Sequence, residues 1–468
     1  MVSLLGGRLI TMKSLYLETM MENVGRIKSM MPSGIKAILG SLVGVCVFFV
    51  PFSTAEGGRD IPLVMAVEKV KSLLGGGLEY VLLISMALLF MTWVCSRCFS
   101  HRALASHHGK DGWISGFLFL MALVFSLACI FHIGPEWMLS EDVGGMAIYI
   151  AGTVLLTVAI AGFFVYFLTE FGFTEFVGTL MEPLMRPLYK VPGRAAVDAV
   201  SSFVASPAVG VYITNKFYKE KKYTQRESAS IAANFSVADI GFMAVLASIA
   251  GIASYLPQIV VVTFIVTFVV AIVTSRLPPL SNKKDCYIDG EQKEDSRNAE
   301  VASGRNIFLR ACDAAAERAR DAQLKNAIFS FVNSLKFAQK VVAYVVAIAT
   351  PALALATYTP VMDYLGVLVE PYLTLFNLPD VGAIAPTVLV AITEVALPSI
   401  IIASQDVSTM SVFFVCTLSL VQIVFFTESA NAMLEADIPL SLVDLILIFI
   451  IRTIIAIPLV ALAAHIIF

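Results

Sequence analysis

The stretch Ala391–Ile402, "AITEVALPSIII", sets a glutamate and a proline inside an otherwise apolar run. Proline removes a backbone donor and clashes with the preceding turn, so one continuous helix through Pro398 is not expected. Two half-helices that enter and leave on the same side accommodate these residues better. An ionisable group at membrane depth is costly and usually faces a cavity or marks a solute route. Glu394 therefore has a functional reading from the outset. A second stretch, "SFVASPAVGVYI" (Ser202–Ile213), has the same build, with Pro207 following Ser206. These two broken segments, within 381–404 and 197–215, decide the fold.

The surrounding chain is a membrane protein's. Its 468 residues are 58% hydrophobic and 14% charged, with a mean hydropathy of +0.84. Soluble domains carry about 25% charge. The net charge of −3 gives no argument for a nucleic-acid polymer as partner. A spanning helix needs about 20 mostly apolar residues, which places spans near 35–52, 78–95, 114–133, 145–168, 224–252, 259–275, 338–356, 407–434 and 441–464. The fold class is thus an all-α polytopic membrane protein of about nine transmembrane helices plus two re-entrant helical hairpins. The N-terminal residues read as an amphipathic surface helix rather than a secretory signal. Cys46, Cys129 and Cys416 lie in apolar runs and read as small core residues.

Loop charge orients the chain, since Lys and Arg concentrate on the cytoplasmic side. Arg97, Arg102 and Lys110 put the second loop inside, and "PEWMLSED" goes outside. The basic residues flanking the first hairpin make it dip in from the cytoplasm, whereas the acidic 357–380 stretch makes the second enter from the exterior. The N-terminus is then cytoplasmic, in a bacterial inner membrane. An internal repeat agrees. "VGTLMEPLMRPLYKVP" (177–192) resembles "LGVLVEPYLTLFNLP" (365–379), and each precedes a broken hairpin, a long polar-interrupted helix and a final span. Within the long helices Ser228, Ser236 and Phe242 match Ser411, Ser419 and Phe425 in spacing. Residues 1–144 form an N-terminal region with three spans, 145–275 a first repeat, 276–337 a charged cytosolic linker and 338–468 a second repeat. Two similar units of opposite topology with interrupted helices are the sequence pointer to a secondary transporter.

Four polar constellations fall near the middle of their segments. They are "SFVASPAVG", "ANFSVADIGF" (233–242), "AITEVALPS" and "FFTESANAM" (425–433). Asn234 and Asn431 offer donor and acceptor together, and Ser206, Ser236, Thr393, Thr427 and Ser429 offer hydroxyls. This suits a small polar solute. Asp239, Glu394 and Glu428 are the ionisable members, able to carry a proton or to ligate a cation. Arg452, midway along the last span, reads as a counter-charge to Glu394 or Glu428, or as a clamp for a substrate carboxylate. Interhelical hydrogen bonds are the plainer account of a lone Ser or Asn; two carboxylates at matched breaks argue for function. In "CSRCFSHRALASHH" (95–108), Cys95, Cys98 and His101 could ligate a metal, at a spacing tighter than usual zinc patterns. No P-loop, His-Glu-x-x-His helix or nucleophile elbow occurs, so no enzyme activity is expected.

"FVASPAVGVYI…SASIAANFSVADIGFMAVLASIAG" and "ITEVALPSIIIA…FFTESANAML" resemble the two halves of a YjiH-type protein of the nucleoside-recognition, or Gate, domain family. That family is distantly similar to concentrative nucleoside transporters. The resemblance implies re-entrant hairpins paired with partly unwound helices, with Ser206, Asn234, Ser236, Thr393, Glu394 and Glu428 lining a site for solute and for sodium or protons. The half-sites occur in reverse chain order here. Ile392 and Thr427 replace a glutamine and an asparagine of those transporters, which removes groups expected to hold a base or ribose. The expected activity is ion-coupled movement of a small polar solute (nucleoside-like, amino-acid-like or an organic acid) through a midplane site, with Na+ or H+ as coupling ion and no other cofactor. The alternatives are a non-transporting membrane assembly or regulatory subunit and a metal-ion permease. The lipid bilayer is the partner implied throughout, and the sequence leaves room for a homo-oligomer.

Overall fold

The structure is a computed structural model describing residues 33–53, 59–98, 107–109, 111–292, 306–403 and 405–468. The expected N-terminal surface helix lies outside these residues, as do His101, Arg102 and Lys110. Helices dominate: the strands among the described residues are a two-stranded pairing of Phe52–Ser53 with Arg59–Asp60.

Seven helical stretches among the described residues are long and apolar enough to cross a membrane. Two of the nine expected spans are not among them. The first is the shorter helix α1 (Ser33–Phe49). The 407–434 span is split into α18 (Thr409–Gln422) and α19 (Ser429–Glu435). The sequence reading also missed α2 (Pro62–Leu74), which Pro62 at its first turn nucleates. α3 (Gly77–Cys98) and α4 (Trp113–Phe131) complete the N-terminal region.

The remaining elements occur twice in the same order. The first unit has the long α5 (Met146–Glu170), an arm helix α6 (Phe173–Tyr189) and a hairpin of α7 (Ala195–Val204) and α8 (Pro207–Lys219). A broken helix of α9 (Gln225–Phe235) and α10 (Ile240–Ile249) follows, then α11 (Leu256–Thr274). After an amphipathic α12 (Ile307–Arg320), the second unit starts with α13 (Lys325–Tyr344) and α14 (Thr350–Tyr358). Its arm is α15 (Val361–Thr374), its hairpin α16 (Val381–Val390) and α17 (Leu397–Ala403), its broken helix α18 and α19, and its last span α20 (Leu442–Ile467). Lys325–Tyr358 forms one apolar helical stretch that crosses residue 338. Its entry turns are helical, where the sequence reading placed the end of the linker.

One constant spacing carries Gly178 to Gly366, Glu182 to Glu370, Ser206 to Glu394 and Asn234 to Gln422. The glycines explain part of it. A Cβ on Gly178 would press on the backbone of Arg194, and one on Gly366 on the backbone of Pro386. Each arm helix thus uses glycine to lie close against the first half of its own hairpin. The pairing of Ser228, Ser236 and Phe242 with Ser411, Ser419 and Phe425 is out of step with this spacing by more than a helical turn. The seryl likeness is accidental.

Candidate functional site

Pro207 and Ser206 set up the first hairpin tip. Ser206, in extended conformation, is the N-cap of α8, and its hydroxyl accepts from the Val209 N–H at 3.4 Å. Proline at the first helical position has no N–H to leave unpaired. The free Ala208 N–H then donates to Glu428 Oε1 at 3.0 Å. A carboxylate against helix N-terminal amides meets both a donor and the positive end of the helix dipole. Glu428 belongs to the other unit, at the break between α18 and α19. The first hairpin tip is therefore held by the second broken helix.

The second tip meets the same break. Phe426 N–H donates to the Ile392 carbonyl at 2.8 Å, and the Thr427 hydroxyl donates to Glu394 Oε2. Glu394 Oε1 accepts from the Ala396 N–H at 3.0 Å, and the residue is 1% exposed. Consecutive residues, Thr427 and Glu428, thus hold one hairpin tip each. The two glutamates lie within electrostatic reach of one another, with Asp239 also in range of Glu428. Glu428 keeps part of its surface accessible. Thr393 donates to the Val390 carbonyl at 2.7 Å, closing its own tip. The break itself is shaped by Ser429, whose hydroxyl donates to the Ile423 carbonyl and accepts from the Phe425 N–H. Asn431 donates to the Phe426 carbonyl, and its Oδ1 is buried without a partner among the described residues.

Asp239 serves differently. Its Oδ1 accepts from the Phe242 N–H at 2.9 Å, so it caps α10. Ser236 is buried at the C-terminal end of α9. The Ser202 hydroxyl, which the sequence reading did not single out, donates to the Val237 carbonyl at 2.9 Å and joins the first hairpin to the first break.

Arg452 is aimed elsewhere than the acids. Fully buried, it donates through Nε and Nη2 to the Val421 carbonyl (3.3 and 2.8 Å) and through Nη1 to Asn234 Oδ1 (2.7 Å) and the Ala233 carbonyl (3.4 Å). Asn234 is held further by Thr274 and Ser230. Gln422 was not singled out in the sequence. It donates to Thr453 and the Val388 carbonyl, and its Oε1 is buried and unpartnered. Its signal was its position: it is the polar residue that ends α18, as Asn234 nearly ends α9.

A cleft of about 670 Å³ opens beside these elements, between α8, α13, the end of α5 and the end of α19. Lys216, Lys219, Lys336 and Lys340 line it opposite Glu170, Glu220, Glu435 and Asp437. Neither Glu394 nor Glu428 lines it. Lys219 pairs with Asp437 at 2.5 Å and Lys340 with Glu435 at 3.4 Å. His107 and Gly109, between α3 and α4, line one side. There, burial pushes the His107 imidazole down to about 4, helped by the positive charge of Lys340. Burial alone would raise the Asp111 carboxyl, but the His108 hydrogen bond and the Lys340 ammonium outweigh it and hold the group low. Both shifts have one sign. His107 stays neutral when folded and charges when unfolded between pH 6.5 and about 4, so stability falls as pH drops through that window. Asp111 adds its contribution above its unfolded value and loses it as pH falls through its lowered one. Thermal midpoints measured across pH 4–6.5 are expected to show a shallower slope in His107→Asn than in wild type.

Cys95 and Cys98 sit at the end of α3 as free thiols, and His101 lies outside the described residues. Among the described residues, no group of three metal-ligating side chains converges.

Comparison with known proteins adds two findings. Residues 151–253, which contain the first hairpin and the first broken helix, match the Gate family, described as nucleoside recognition. An uncharacterized protein of Alkalihalophilus pseudofirmus is 32% identical over 453 residues, covering 93% of this chain and 95% of that one.

Proposed function

Because the chain is a multi-pass membrane protein that belongs to the nucleoside-recognition (Gate) family, we propose that it is an ion-coupled secondary transporter of a small polar solute. The observation that carries this reading is the convergence of two hairpin tips on Thr427 and Glu428 of one helix break. In this reading the two units are inverted repeats, the hairpins re-enter from opposite faces, and the glutamates sit near mid-depth. The geometry favours a shut state. Ala208 N–H and the Thr427 hydroxyl, groups able to bind a solute, are taken up by the chain's own carboxylates. Protonating Glu428 would weaken the bond that holds the first tip and free its amide. The lysine-lined cleft serves as the cytosolic vestibule. α19 leads from Ser429, next to Glu428, to Glu435 on the cleft wall, about 10 Å at 1.5 Å per residue, and offers a path between the two.

Purified protein in proteoliposomes, challenged with radiolabelled uridine, serine and succinate under imposed proton and sodium gradients, tests the reading. Accumulation of one of them that collapses with the gradient is the expected result. No gradient-dependent movement of any nucleoside, amino acid or organic acid would overturn it.

A further inference from the structure

The six-residue break between α18 and α19 and the shorter one between α9 and α10 each leave a helix C-terminus inside the protein. A helix C-terminus carries roughly half a negative charge and unpaired carbonyls. Two that converge amount to about one negative charge, a demand that an inorganic cation could meet. In this protein it is met by the hydrogen bonds of a side-chain cation. Arg452 bonds the Val421 carbonyl from one terminus and the Ala233 carbonyl and Asn234 Oδ1 from the other. It makes no ion pair with a carboxylate among the described residues, although it is fully buried. A buried cation left unpaired is strongly unfavourable, so the two C-termini act as its counter-charge.

We infer that Arg452 occupies the seat of a coupling cation, so that exchange through this site is independent of sodium and coupled instead to protons carried by Glu394 or Glu428. The inference rests on the transport reading for its second half, while the first half concerns ion binding alone. Arg452 is a positioning residue: it fixes the two breaks against each other and touches neither glutamate. Its guanidinium has donors for three acceptors at once, which a single lysine ammonium could share only as a point charge.

Thermal unfolding of the purified full chain in sodium chloride and in choline chloride of equal ionic strength tests this without a solute. Ligand binding to the folded state raises apparent stability, so the wild-type midpoints are expected to agree within about 1 °C. A wild-type midpoint raised by sodium and not by choline would overturn the inference while leaving transport intact. Arg452→Met vacates the carbonyls. It is expected to unfold at lower temperature than wild type and to recover part of the loss in sodium, a dependence that lost packing alone would not create. Arg452→Lys keeps the charge and is expected to stay sodium-indifferent. A folded Arg452→Met protein of wild-type stability and indifferent to sodium would also overturn the inference, because the two C-termini would then need no cation. Failure to move any solute would sink the transport reading and leave the sodium result standing.

Discussion

Glu428→Gln is expected to fold and to bind solute, yet to lose proton-driven accumulation to the level of empty liposomes. Glutamine keeps the side-chain volume and can still accept from the Ala208 N–H through its carbonyl oxygen. It cannot take up or release a proton, so the cycle that links the hairpin tip to the gradient is broken. The binding change is smaller. Hydrogen bonds to charged groups contribute about 1.5–3 kcal/mol, against about 1 for neutral ones. Weakening this one favours the open tip by up to ~30-fold. Solute exchange across a membrane without a gradient should therefore survive, or speed up, while uphill uptake disappears. Glu394→Gln is expected to behave alike through its bond from Thr427. Glu370, exposed on α15, supplies the control, and Glu370→Gln should accumulate solute normally. Wild-type uphill uptake by Glu428→Gln would remove this glutamate from the mechanism.

The two prolines and the two glutamates made the hairpins and the second break legible in sequence. Proline fixes where a helix cannot continue, and a carboxylate amid apolar residues has few places to go. That the second break begins directly after Gln422 was not legible. No proline or glycine marks it; the chain turns at Ile423 with positive φ, held by the Ser429 hydroxyl acting on two backbone groups. Such a turn depends on the pairing of Phe426 with Ile392, a contact between segments distant in sequence. The partner of Arg452 was misjudged for a related reason. Sequence shows carboxylates as obvious counter-charges, but carbonyls become acceptors only once a helix ends, and the ends of α9 and α18 are properties of the fold. The register of the long helices failed on the most common kind of evidence, scattered serines. The glycines that fit one helix backbone against another gave the register the fold follows.

Lys340→Met is expected to destabilise the protein more than any change on the lipid-facing surface. Lys340 is 6% exposed on α13, and its ammonium bonds the His107 carbonyl at 3.0 Å, Asp111 at 3.0 and 3.2 Å, and Glu435 at 3.4 Å. Methionine fills much of the same volume and supplies none of these donors. Asp111, 4% exposed, would keep its bond to His108 and lose its only ammonium among the described residues. Breaking a buried pair by removing one partner costs about 3–5 kcal/mol, because the other charge stays buried uncompensated. Removing both is milder, so Lys340→Met with Asp111→Asn should regain most of the loss, and a double-mutant cycle in detergent isolates the coupling. The single variant unfolding at the wild-type midpoint would mean that water already screens the pair. The same lysine joins the α3–α4 loop, α13 and the end of α19, and α19 starts at Glu428's neighbour. Cutting it frees the cleft-side end of the helix whose other end holds the first hairpin tip. The transport reading therefore adds an expectation that stability alone would not: gradient-free solute exchange by Lys340→Met at a temperature well below its midpoint should differ from wild type, and Asp111→Asn, which leaves the Lys340–Glu435 contact in place, should alter it less.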